Sequence, residues 1–366
     1  MTSLYLLIKP SSGNCNLKCK YCFYADVVEN REISSFGLMS LSTLENIVKK
    51  ALAHATRECT IGFQGGEPTL VGLDFYKGLI SIVNQHNTKR LKVNYSIQTN
   101  GILIDRQWAE FFTENKFLVG LSLDGIKDVH DLYRLDSKGN GSFTEVMRVV
   151  RLFNSCKTEY NILTVVTSRL AKNIGKVYGF FKRNNLTYQQ YIPCLDPLGE
   201  PPGQNPYSLT PEIYGQFLCA LFDLWYNDIT HDRMISIRYF DNLVYMLRGY
   251  PPESCGMAGH CTYQTVIEAD GSVYPCDFYV LDEYCLGNLN TDDFASIDAK
   301  RKELRFIEFS KQLSSQCEGC RWYSICRGGC RRNREPLAVG NQSHNYFCES
   351  FKMFFEYAYE RLMRLV

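Results

Sequence analysis

The stretch LYLLIKPSSGNCNLKCKYC, residues 4–22, joins a short apolar run to three closely spaced cysteines. The run at 4–8 is apolar throughout, as expected for a strand buried on both faces of a parallel sheet. Cys15, Cys19 and Cys22 follow it, with three and then two intervening residues. Three thiolates on one loop can hold three irons of a four-iron cube, which leaves the fourth iron open to another ligand. The pattern predicts an enzyme active site at the end of a strand.

Beyond this strand, strand and helix patterns alternate up to about residue 235. Apolar or β-branched segments predict six strands, at 4–8, 59–64, 91–98, 117–123, 160–167 and 186–192. Segments with helical periodicity separate and follow them, at 42–55, 72–86, 106–115, 143–156, 171–184 and 211–228. Such alternation implies parallel strands joined by right-handed crossovers. The sequence therefore predicts an α/β fold with a partial (β/α)6 barrel, rather than a closed barrel of eight units.

Polar, glycine-rich or cysteine-containing segments follow the ends of all six predicted strands. They are 15–22, 65–68, 99–101, 122–125, 167–168 and 194–196. The C-terminal ends of parallel strands meet at one edge of a sheet, where α/β folds build their active sites. We therefore expect the functional residues at this edge.

The last part of the chain, 236–366, predicts a small domain of shorter elements. A β-hairpin is expected at 265–274, around a type I′ turn at Asp270-Gly271, and a final amphipathic helix at 347–364. The predicted domains are thus 1–235 and 236–366. In the first domain, Ser42 with Glu45 three residues later predicts a capping box for the first long helix.

Eight cysteines of this second domain form another pattern. They are Cys255, Cys261, Cys276, Cys317, Cys320, Cys326, Cys330 and Cys348. Eight thiolates are enough for two fully ligated four-iron clusters, but cysteine order alone does not assign ligands to clusters. The alternative is a zinc ribbon over 317–330, which would leave the other cysteines unused.

Composition excludes several classes of function. The chain has 366 residues, 45% of them hydrophobic and 22% charged, with a net charge of +1, so no nucleic-acid partner is expected. No apolar run approaches the roughly 18 residues of a membrane span, and the N-terminus shows no secretory signal. Sixteen cysteines without such a signal indicate a reducing compartment and metal ligation. We expect a cytoplasmic protein that binds no membrane.

The segment Cys15-x3-Cys19-x-Tyr21-Cys22, together with Gly65-Gly66-Glu67-Pro68, resembles the radical S-adenosylmethionine (radical SAM) superfamily. The resemblance implies that the three cysteines hold a [4Fe–4S] cluster whose open iron binds SAM. It also implies that SAM is lined by Tyr21, Gly65, Gly66, Glu67, Ser122, Arg134 and Leu195. Glycines permit a close backbone approach, and a carboxylate suits the amino group of SAM.

The second cysteine pattern is similar to the SPASM extension of radical SAM enzymes that modify peptides and proteins. The similar elements are Cys261-x9-Gly271-x4-Cys276, a Cx2Cx5Cx3C run and a distal cysteine. The resemblance implies two auxiliary [4Fe–4S] clusters. One would be held by Cys255, Cys261, Cys276 and Cys330, and the other by Cys317, Cys320, Cys326 and Cys348.

Over essentially its whole length the chain resembles anaerobic sulfatase-maturating enzymes, including the segments Cys276-Asp277-Phe278-Tyr279 and 236–241. Taken alone, an aspartate beside a metal ligand is usually a turn or capping residue. The resemblance instead implies that Asp277 is the proton acceptor in the oxidation of a cysteine or serine to Cα-formylglycine. A 5′-deoxyadenosyl radical would take hydrogen from Cβ, and an auxiliary cluster would take the electron.

The implied partners are an unfolded or nascent sulfatase segment of the type Cys/Ser-x-Pro/Ala-x-Arg and an external electron donor such as ferredoxin or flavodoxin. Whether cysteine or serine is the substrate stays open. The nearest alternative is a SPASM enzyme that forms thioether or other crosslinks in a ribosomal peptide. Such enzymes often carry an N-terminal leader-binding domain, for which the early position of Cys15 leaves no room. An electron-transfer protein and a zinc-binding module are the alternatives from other classes.

Overall fold

The structure is a computed structural model that describes residues 3–335 and 344–366. The strands are β1 (Ser3–Ile8), β2 (Glu58–Phe63), β3 (Lys92–Thr99), β4 (Phe117–Ser122), β5 (Tyr160–Val166), β6 (Tyr188–Pro193), β7 (Ser236–Ile237), β8 (Thr265–Ile267), β9 (Ser272–Tyr274) and β10 (Gly287–Asn288). The helices are α1 (Phe23–Glu29), α2 (Leu41–His54), α3 (Leu73–His86), α4 (Arg106–Glu114), α5 (Lys127–Tyr133), α6 (Phe143–Cys156), α7 (Ser168–Ala171), α8 (Ile174–Arg183), α9 (Pro211–Ile229), α10 (Arg238–Leu247), α11 (Cys255–Ala258), α12 (Phe294–Leu304), α13 (Phe306–Ser310), α14 (Tyr323–Cys326) and α15 (Cys348–Met363).

The six predicted strands are all present as β1–β6, with ends that differ by at most two residues. The predicted helix at 171–184 is present as α8. The short helix α7, which Thr167 caps by accepting a hydrogen bond from the Leu170 N–H, precedes it. The elements that the sequence missed are α1, α5, α7, α10, α11, α12, α13 and α14 and the two-residue strands β7 and β10. Among the described residues, no helix is long and apolar enough to cross a membrane.

Two local predictions are wrong. The N-cap of α2 is Ser40, whose hydroxyl accepts a hydrogen bond from the Thr43 N–H at 3.0 Å, whereas Ser42 lies inside the helix. The hairpin β8–β9 is present, but only Gly271 of its turn has a positive φ (92°). A type I′ turn requires positive φ at both central residues, so Asp270-Gly271 does not form one. The Gly271 N–H instead closes a four-residue turn by donating to the Glu268 carbonyl at 2.9 Å.

The chain folds as two compact units. Unit 1 comprises Met1–Ser122, Arg134–Tyr160 and Tyr263–Phe306, and unit 2 comprises Leu123–Tyr133, Asn161–Thr262 and Ile307–Val366. Unit 1 therefore includes the hairpin β8–β9 from the cysteine-rich part of the sequence. The division into domains at 235/236 rests on motifs and remains a proposal.

Unit 1 is built on a sheet with the strand order β10-β9-β8-β1-β2-β3-β4. The strands β8, β1, β2, β3 and β4 are parallel to one another. At the edge of the sheet, β9 is antiparallel to β8, and β10 is antiparallel to β9. Leu6 pairs with Ile61 on one side and with Thr265 on the other, and both apolar side chains are fully buried. The central strands are therefore covered on both faces, as their continuous apolar sequences indicate.

Unit 2 contains the parallel strands β5, β6 and β7 and the long helices α9 and α15, which pack together. Aromatic rings join these helices to α10: Phe222 lies 5.5 Å from Phe240 and 5.8 Å from Phe354, measured between ring centroids. All three rings are buried. Aromatic pairs at such spacings stabilise a core beyond the area that they bury.

Candidate active site

The first cysteine group lies on the loop between β1 and α1 in unit 1. Cys15, Cys19 and Cys22 are free thiols and are half-buried. Burial above all raises the pKa of Cys15 to about 11, with nearby Glu67 and Cys22 adding to the effect. The surroundings of Cys15 thus disfavour its charged thiolate form, and a bound metal ion would stabilise that form. Three thiols on one loop fit three corners of a four-iron cube.

The glycine loop 65–68 follows β2 and lies directly against the cysteine loop. A Cβ atom at Gly66 would lie 2.0 Å from the carbonyl oxygen of Asn14, far inside contact distance. Gly65 has a φ of +104°, and a Cβ there would lie 2.9 Å from Cγ of Lys9. Glycine is therefore required at both positions, because it has no Cβ to clash and tolerates a positive φ. The glycine loop can lie this close to the cysteine loop for that reason.

The side chain of Glu67 connects this loop to the end of β3. Its Oε1 accepts hydrogen bonds from the N–H and hydroxyl of Thr69 (3.0 and 2.5 Å) and from the hydroxyl of Thr99 (2.7 Å). Its Oε2 accepts one from the Asn100 N–H at 2.8 Å. Burial raises the pKa of Glu67, and these hydrogen bonds oppose that effect. The carboxylate thus has a clear structural role, and its contact with the amino group of SAM stays a prediction.

The other residues predicted to line SAM are placed as follows. Tyr21 and Arg134 are both buried, and the Arg134 guanidinium lies 5.5 Å from the centroid of the Tyr21 ring. Ser122 is the last residue of β4 and is half-buried. Leu195 follows β6 and belongs to unit 2. The structure therefore brings Tyr21 and Arg134 together in unit 1.

Asp277 lies at the centre of a polar pocket in unit 1, and only 8% of its surface is exposed. Its Oδ2 accepts a hydrogen bond from the Tyr24 hydroxyl at 2.6 Å and another from the amide of Gln64. Its Oδ1 lies 3.1 Å from Nζ of Lys9. Burial and the neighbouring Asp277 raise the pKa of Tyr24 well above its usual value, so the phenol is a hydrogen-bond donor. We name Lys9, Tyr24, Gln64 and Asp277 the Asp277 pocket.

Sequence reasoning did not assign Lys9 or Gln64 to the site. Lys9 directly follows β1 and Gln64 directly follows β2, so the rule that sites form at strand C-terminal ends could have found both. Asp282, the other carboxylate near the Cys276 motif, is exposed and accepts a hydrogen bond from the Glu32 N–H at 2.9 Å. The structure therefore selects Asp277 as the carboxylate of the pocket.

One group of cysteines in unit 2 surrounds a common cavity. Its lining includes the four thiols of Cys317, Cys320, Cys326 and Cys348, together with the rings of Trp322, Phe351 and Phe355. Burial raises the pKa of Cys326 to about 11, and the other three cysteines add to this effect. These are the four residues predicted to hold one auxiliary cluster, and the structure brings them together. Within the described part of the chain, no three Cys, His, Asp or Glu side chains have the spacing of a site for a single metal ion.

A second group in unit 2 consists of Cys255, Cys261 and Cys330. Burial above all, together with the nearby Cys255 and Cys261, raises the pKa of Cys330 to about 12. Cys276, the fourth residue predicted for this cluster, belongs to unit 1 and precedes Asp277. The complete ligand set therefore stays a prediction.

Arginines at 331–334 accompany these cysteines and are buried, not solvated. Arg331 forms an ion pair with Glu335 at 2.8 Å, and Arg332 donates to the Asp196 carbonyl at 2.8 Å. Arg334 is 1% exposed and donates to the carbonyls of three residues, Gly259 (3.4 Å), Ser310 (2.5 Å) and Gln312 (2.8 Å). We name 331–334 the arginine segment.

Comparison with known proteins matches both halves of the chain. Residues 10–168 match the radical SAM superfamily, and residues 255–321 match the SPASM iron–sulfur cluster-binding domain. The chain is 52% identical, over 97% of its length and 95% of the relative, to a cysteine-type anaerobic sulfatase-maturating enzyme of Clostridium novyi. It is 48% identical, over 100% of its length and 99% of the relative, to one from Clostridium perfringens. This chain belongs to the family of anaerobic sulfatase-maturating enzymes.

A solved structure of the family confirms the fold. Native anSMEcpe with bound AdoMet and a Cp18Cys peptide superposes with a TM-score of 0.95 at 47% identity, covering 100% of this chain and 99% of that one. The predicted α/β fold, a partial radical SAM barrel followed by a SPASM domain, is therefore correct. The predicted cofactors, SAM and [4Fe–4S] clusters, are those of this family as well. The maturating enzyme thus has the cysteine thiols, the glycine loop and the buried Glu67 carboxylate that fit its cofactors.

Proposed function

We propose that this enzyme oxidises a cysteine in a sulfatase segment to Cα-formylglycine and that Asp277 accepts the thiol proton. The observation that carries the proposal is the Asp277 pocket, in which three side chains from the ends of β1 and β2 and from α1 hold one carboxylate. A preorganised carboxylate of this kind is what a general base needs, since it must reach the proton in a fixed geometry.

The chemistry has a simple balance. The substrate cysteine loses a hydrogen atom from Cβ, the thiol proton and one electron, and water then replaces sulfur, which leaves as hydrogen sulfide. When bound, SAM and the clusters supply the hydrogen-abstracting radical and an electron acceptor. The remaining task, removal of the proton, falls to a side chain. Asp277 is suited to it because the pocket fixes both of its oxygens.

Several residue assignments belong to this proposal. Cys15, Cys19 and Cys22 would hold the SAM-binding cluster, with SAM lined by the residues Tyr21, Gly65, Gly66, Glu67, Ser122, Arg134 and Leu195. The auxiliary clusters would be held by Cys255, Cys261, Cys276 and Cys330 and by Cys317, Cys320, Cys326 and Cys348. The donor chemistry supports this: thiols hold the iron, while glycines, hydroxyl, carboxylate, guanidinium and ring suit a small zwitterion with an adenine.

The substrate would be an unfolded or nascent segment with a Cys-x-Pro-x-Arg sequence. Similarity to cysteine-type relatives supports cysteine over serine. A thiol also releases its proton to a carboxylate far more readily than an aliphatic hydroxyl, because its pKa is near 8.5. We further propose a cytoplasmic location and a ferredoxin or flavodoxin as electron donor, since all sixteen cysteines are free thiols and the clusters require low-potential electrons.

The proposal is tested by anaerobic incubation of the reconstituted enzyme with SAM, dithionite and a Cys-x-Pro-x-Arg peptide, followed by mass spectrometry. We expect the peptide aldehyde and 5′-deoxyadenosine to accumulate together, and the matched Ser-x-Pro-x-Arg peptide to react more slowly. A peptide that only loses two hydrogens would indicate crosslink formation instead. Nucleoside without any change in either peptide would contradict the substrate assignment.

A further inference from the structure

Lys9 is the one cation of the Asp277 pocket, and its surroundings extend beyond that pocket. The residue follows β1 and is 2% exposed. Its ammonium lies 3.1 Å from Oδ1 of Asp277, 3.9 Å from Oε1 of Glu268 and 4.6 Å from the centroid of the Tyr24 ring. Glu268, at the end of β8, is 1% exposed. An ammonium is thus enclosed by two carboxylates and an aromatic face.

The second carboxylate is itself fixed. Nη1 of Arg31 lies 2.9 Å from Oε1 of Glu268, and both side chains are almost fully buried. Nη2 of Arg31 donates to the Ser12 hydroxyl and the Ser34 carbonyl, both at 3.1 Å. Arg31, Glu268, Lys9 and Asp277 therefore form a row of alternating charges within unit 1, which we name the charge row.

Buried charges are costly, so their arrangement is informative. Taking an ion out of water costs several kcal/mol unless an oppositely charged group compensates for it. The charge row has two positive and two negative members and is balanced. Because Arg31 compensates for Glu268, the charge of Lys9 remains available to Asp277. A lysine with this second, permanent anchor stays in place when the substrate approaches Asp277.

The two oxygens of Asp277 are held differently. Oδ2 accepts hydrogen bonds from Tyr24 and Gln64. Oδ1 has the Lys9 ion pair but accepts no aligned hydrogen bond from any group that the structure describes. Oδ1 is buried against the ammonium of Lys9, so Lys9 is the group that fixes the position of this oxygen.

Lys9 also contacts the glycine loop. Its Cβ and Cγ atoms lie where a side chain at Gly65 would have to be, at 3.0 and 2.9 Å from an added Cβ. The stem of Lys9 therefore packs under the loop proposed to face SAM, while its head contacts the proposed base. One side chain connects the two parts of the reaction.

We propose that Lys9, anchored by Glu268 and Arg31, is a positioning residue that holds the Asp277 carboxylate in the orientation in which it accepts the substrate proton. This inference rests on the proposed role of Asp277 as proton acceptor. It assigns Lys9 no contact with the substrate. Its effect on the reaction passes entirely through the carboxylate, and this is the property that a double-mutant cycle measures.

The test compares Lys9→Met, Asp277→Asn and the double variant, all with SAM and the cysteine peptide. Methionine keeps the unbranched stem against Gly65 and removes only the charge. We expect Lys9→Met to form formylglycine about ten- to a hundredfold more slowly, as misplacement of a reacting group does. It should keep its iron, its SAM binding and its KM for the peptide, and release more 5′-deoxyadenosine per formylglycine. In the Asp277→Asn background the same change should have almost no further effect.

Two further variants complete the design. Glu268→Gln, which removes the second anchor, should show the same uncoupling to a smaller extent. Lys50→Met is the matched control, because the Lys50 ammonium is half-buried in the same unit but donates to the Leu289 and Asp292 carbonyls (2.6 and 2.7 Å), away from the pocket. If Lys9→Met loses iron, Lys9→Gln, which retains a polar head, replaces it in the cycle.

The outcomes separate the two ideas. A near wild-type rate for Asp277→Asn would overturn the proposed base and the inference together. A slow Asp277→Asn variant with a normal Lys9→Met variant would overturn only the role of Lys9. Equal losses from Lys9→Met in both backgrounds, with unchanged coupling to 5′-deoxyadenosine, would show that Lys9 acts through the fold and not through Asp277.

Discussion

The Asp277 pocket of unit 1 and the arginine segment of unit 2 both bury charged side chains, but they stabilise them differently. In the pocket and in the charge row that extends from it, carboxylates meet cations: Asp277 and Glu268 lie against Lys9 and Arg31. In the arginine segment, Arg331 also pairs with a carboxylate, that of Glu335, but Arg334 is held by three backbone carbonyls. A carbonyl accepts a hydrogen bond but carries no net charge, so these three bonds fix the Arg334 guanidinium through the partial charges of the backbone.

The two regions thus differ in how their buried charge is balanced. The charge row is balanced by protein side chains alone, which suits a group that must react with a substrate in a fixed geometry. The arginine segment adds positive charge beside thiols: Arg331 and Arg334 both oppose the rise in the pKa of Cys261 that burial causes. Thiolate-ligated clusters carry the negative charge that such a segment suits. The pocket is thus balanced by protein side chains, and we propose that the arginine segment offsets the charge of the clusters that the neighbouring cysteines would hold.

The largest effect should come from removing metal in unit 1 alone. Replacing Cys15, Cys19 and Cys22 together by alanine should abolish SAM cleavage and remove about a third of roughly twelve irons per chain, since three cubes are expected. Iron and nucleoside analysis after anaerobic reconstitution measures both effects, with Cys156→Ala as the control. Loss of nearly all iron would contradict this comparison, because the clusters near the arginine segment would then require the cluster held by Cys15, Cys19 and Cys22.

The next effect concerns the pocket. Asp277→Asn keeps the shape of the side chain and one acceptor oxygen but replaces the other oxygen by an NH2 donor, which removes the base. We expect on the order of a hundredfold less formylglycine, with iron content and some 5′-deoxyadenosine formation retained. Mass spectrometry of the peptide measures the change. If this variant matured the peptide normally, Tyr24 or Asp282 would become the next candidate.

A smaller effect is expected from the arginine segment. Arg334→Leu removes the donor to the carbonyls of Gly259, Ser310 and Gln312, and a hydrogen bond from a charged group contributes about 1.5–3 kcal/mol. We expect a lower melting temperature of the holoenzyme and loss of iron from the auxiliary clusters, with the SAM-binding cluster retained. Arg321→Leu is the matched control, since Arg321 is 70% exposed and pairs with Glu356 at the surface. If the two variants had the same melting temperature and iron content, Arg334 would have no special role beside the auxiliary clusters.

The smallest effect is expected from removing an uncharged helix cap in each unit, which serves as a reference for the changes that affect charge. Ser40 caps α2 in unit 1, and Thr210 caps α9 in unit 2 by accepting a hydrogen bond from the Ile213 N–H at 3.3 Å. Ser40→Ala and Thr210→Ala should each lower the free energy of unfolding by about 1 kcal/mol, because an uncharged cap has the same value in both units. Denaturant midpoints measure this. A much larger loss in one unit would indicate a difference in general stability, not in the treatment of charge.

Much of this could be predicted from the sequence. The strands β1–β6 were predictable because their apolar runs are continuous, and the three thiols of the first loop because their spacing has a chemical meaning. The buried carboxylate Asp277 was identified through the resemblance of its motif to a family. In the second half, the same kind of resemblance grouped Cys317, Cys320, Cys326 and Cys348, which line one cavity.

Other features were not predictable, for physical reasons. Lys9 and Gln64 are single polar residues at strand ends, and nothing in the local sequence shows that they meet a residue about 210–270 positions away. Helix α1, which carries Tyr24, has seven residues and no side-chain cap. Arg334 is held by the carbonyls of Gly259, Ser310 and Gln312, which are distant in sequence, whereas a basic run taken in isolation indicates a solvated or charge-balancing surface.

The pairing of β1 with β8 has a consequence for the order of synthesis. Residues 6–8 form their second set of backbone hydrogen bonds with 265–267, and Asp277 follows Lys9 by about 270 residues. At a translation rate of about 5–20 residues per second, the pocket is completed roughly 13 to 55 seconds after Lys9 has been added. During that interval the loop bearing Cys15, Cys19 and Cys22 has already left the ribosome. The nascent chain thus displays its reactive thiols before it can make the residues that will enclose them.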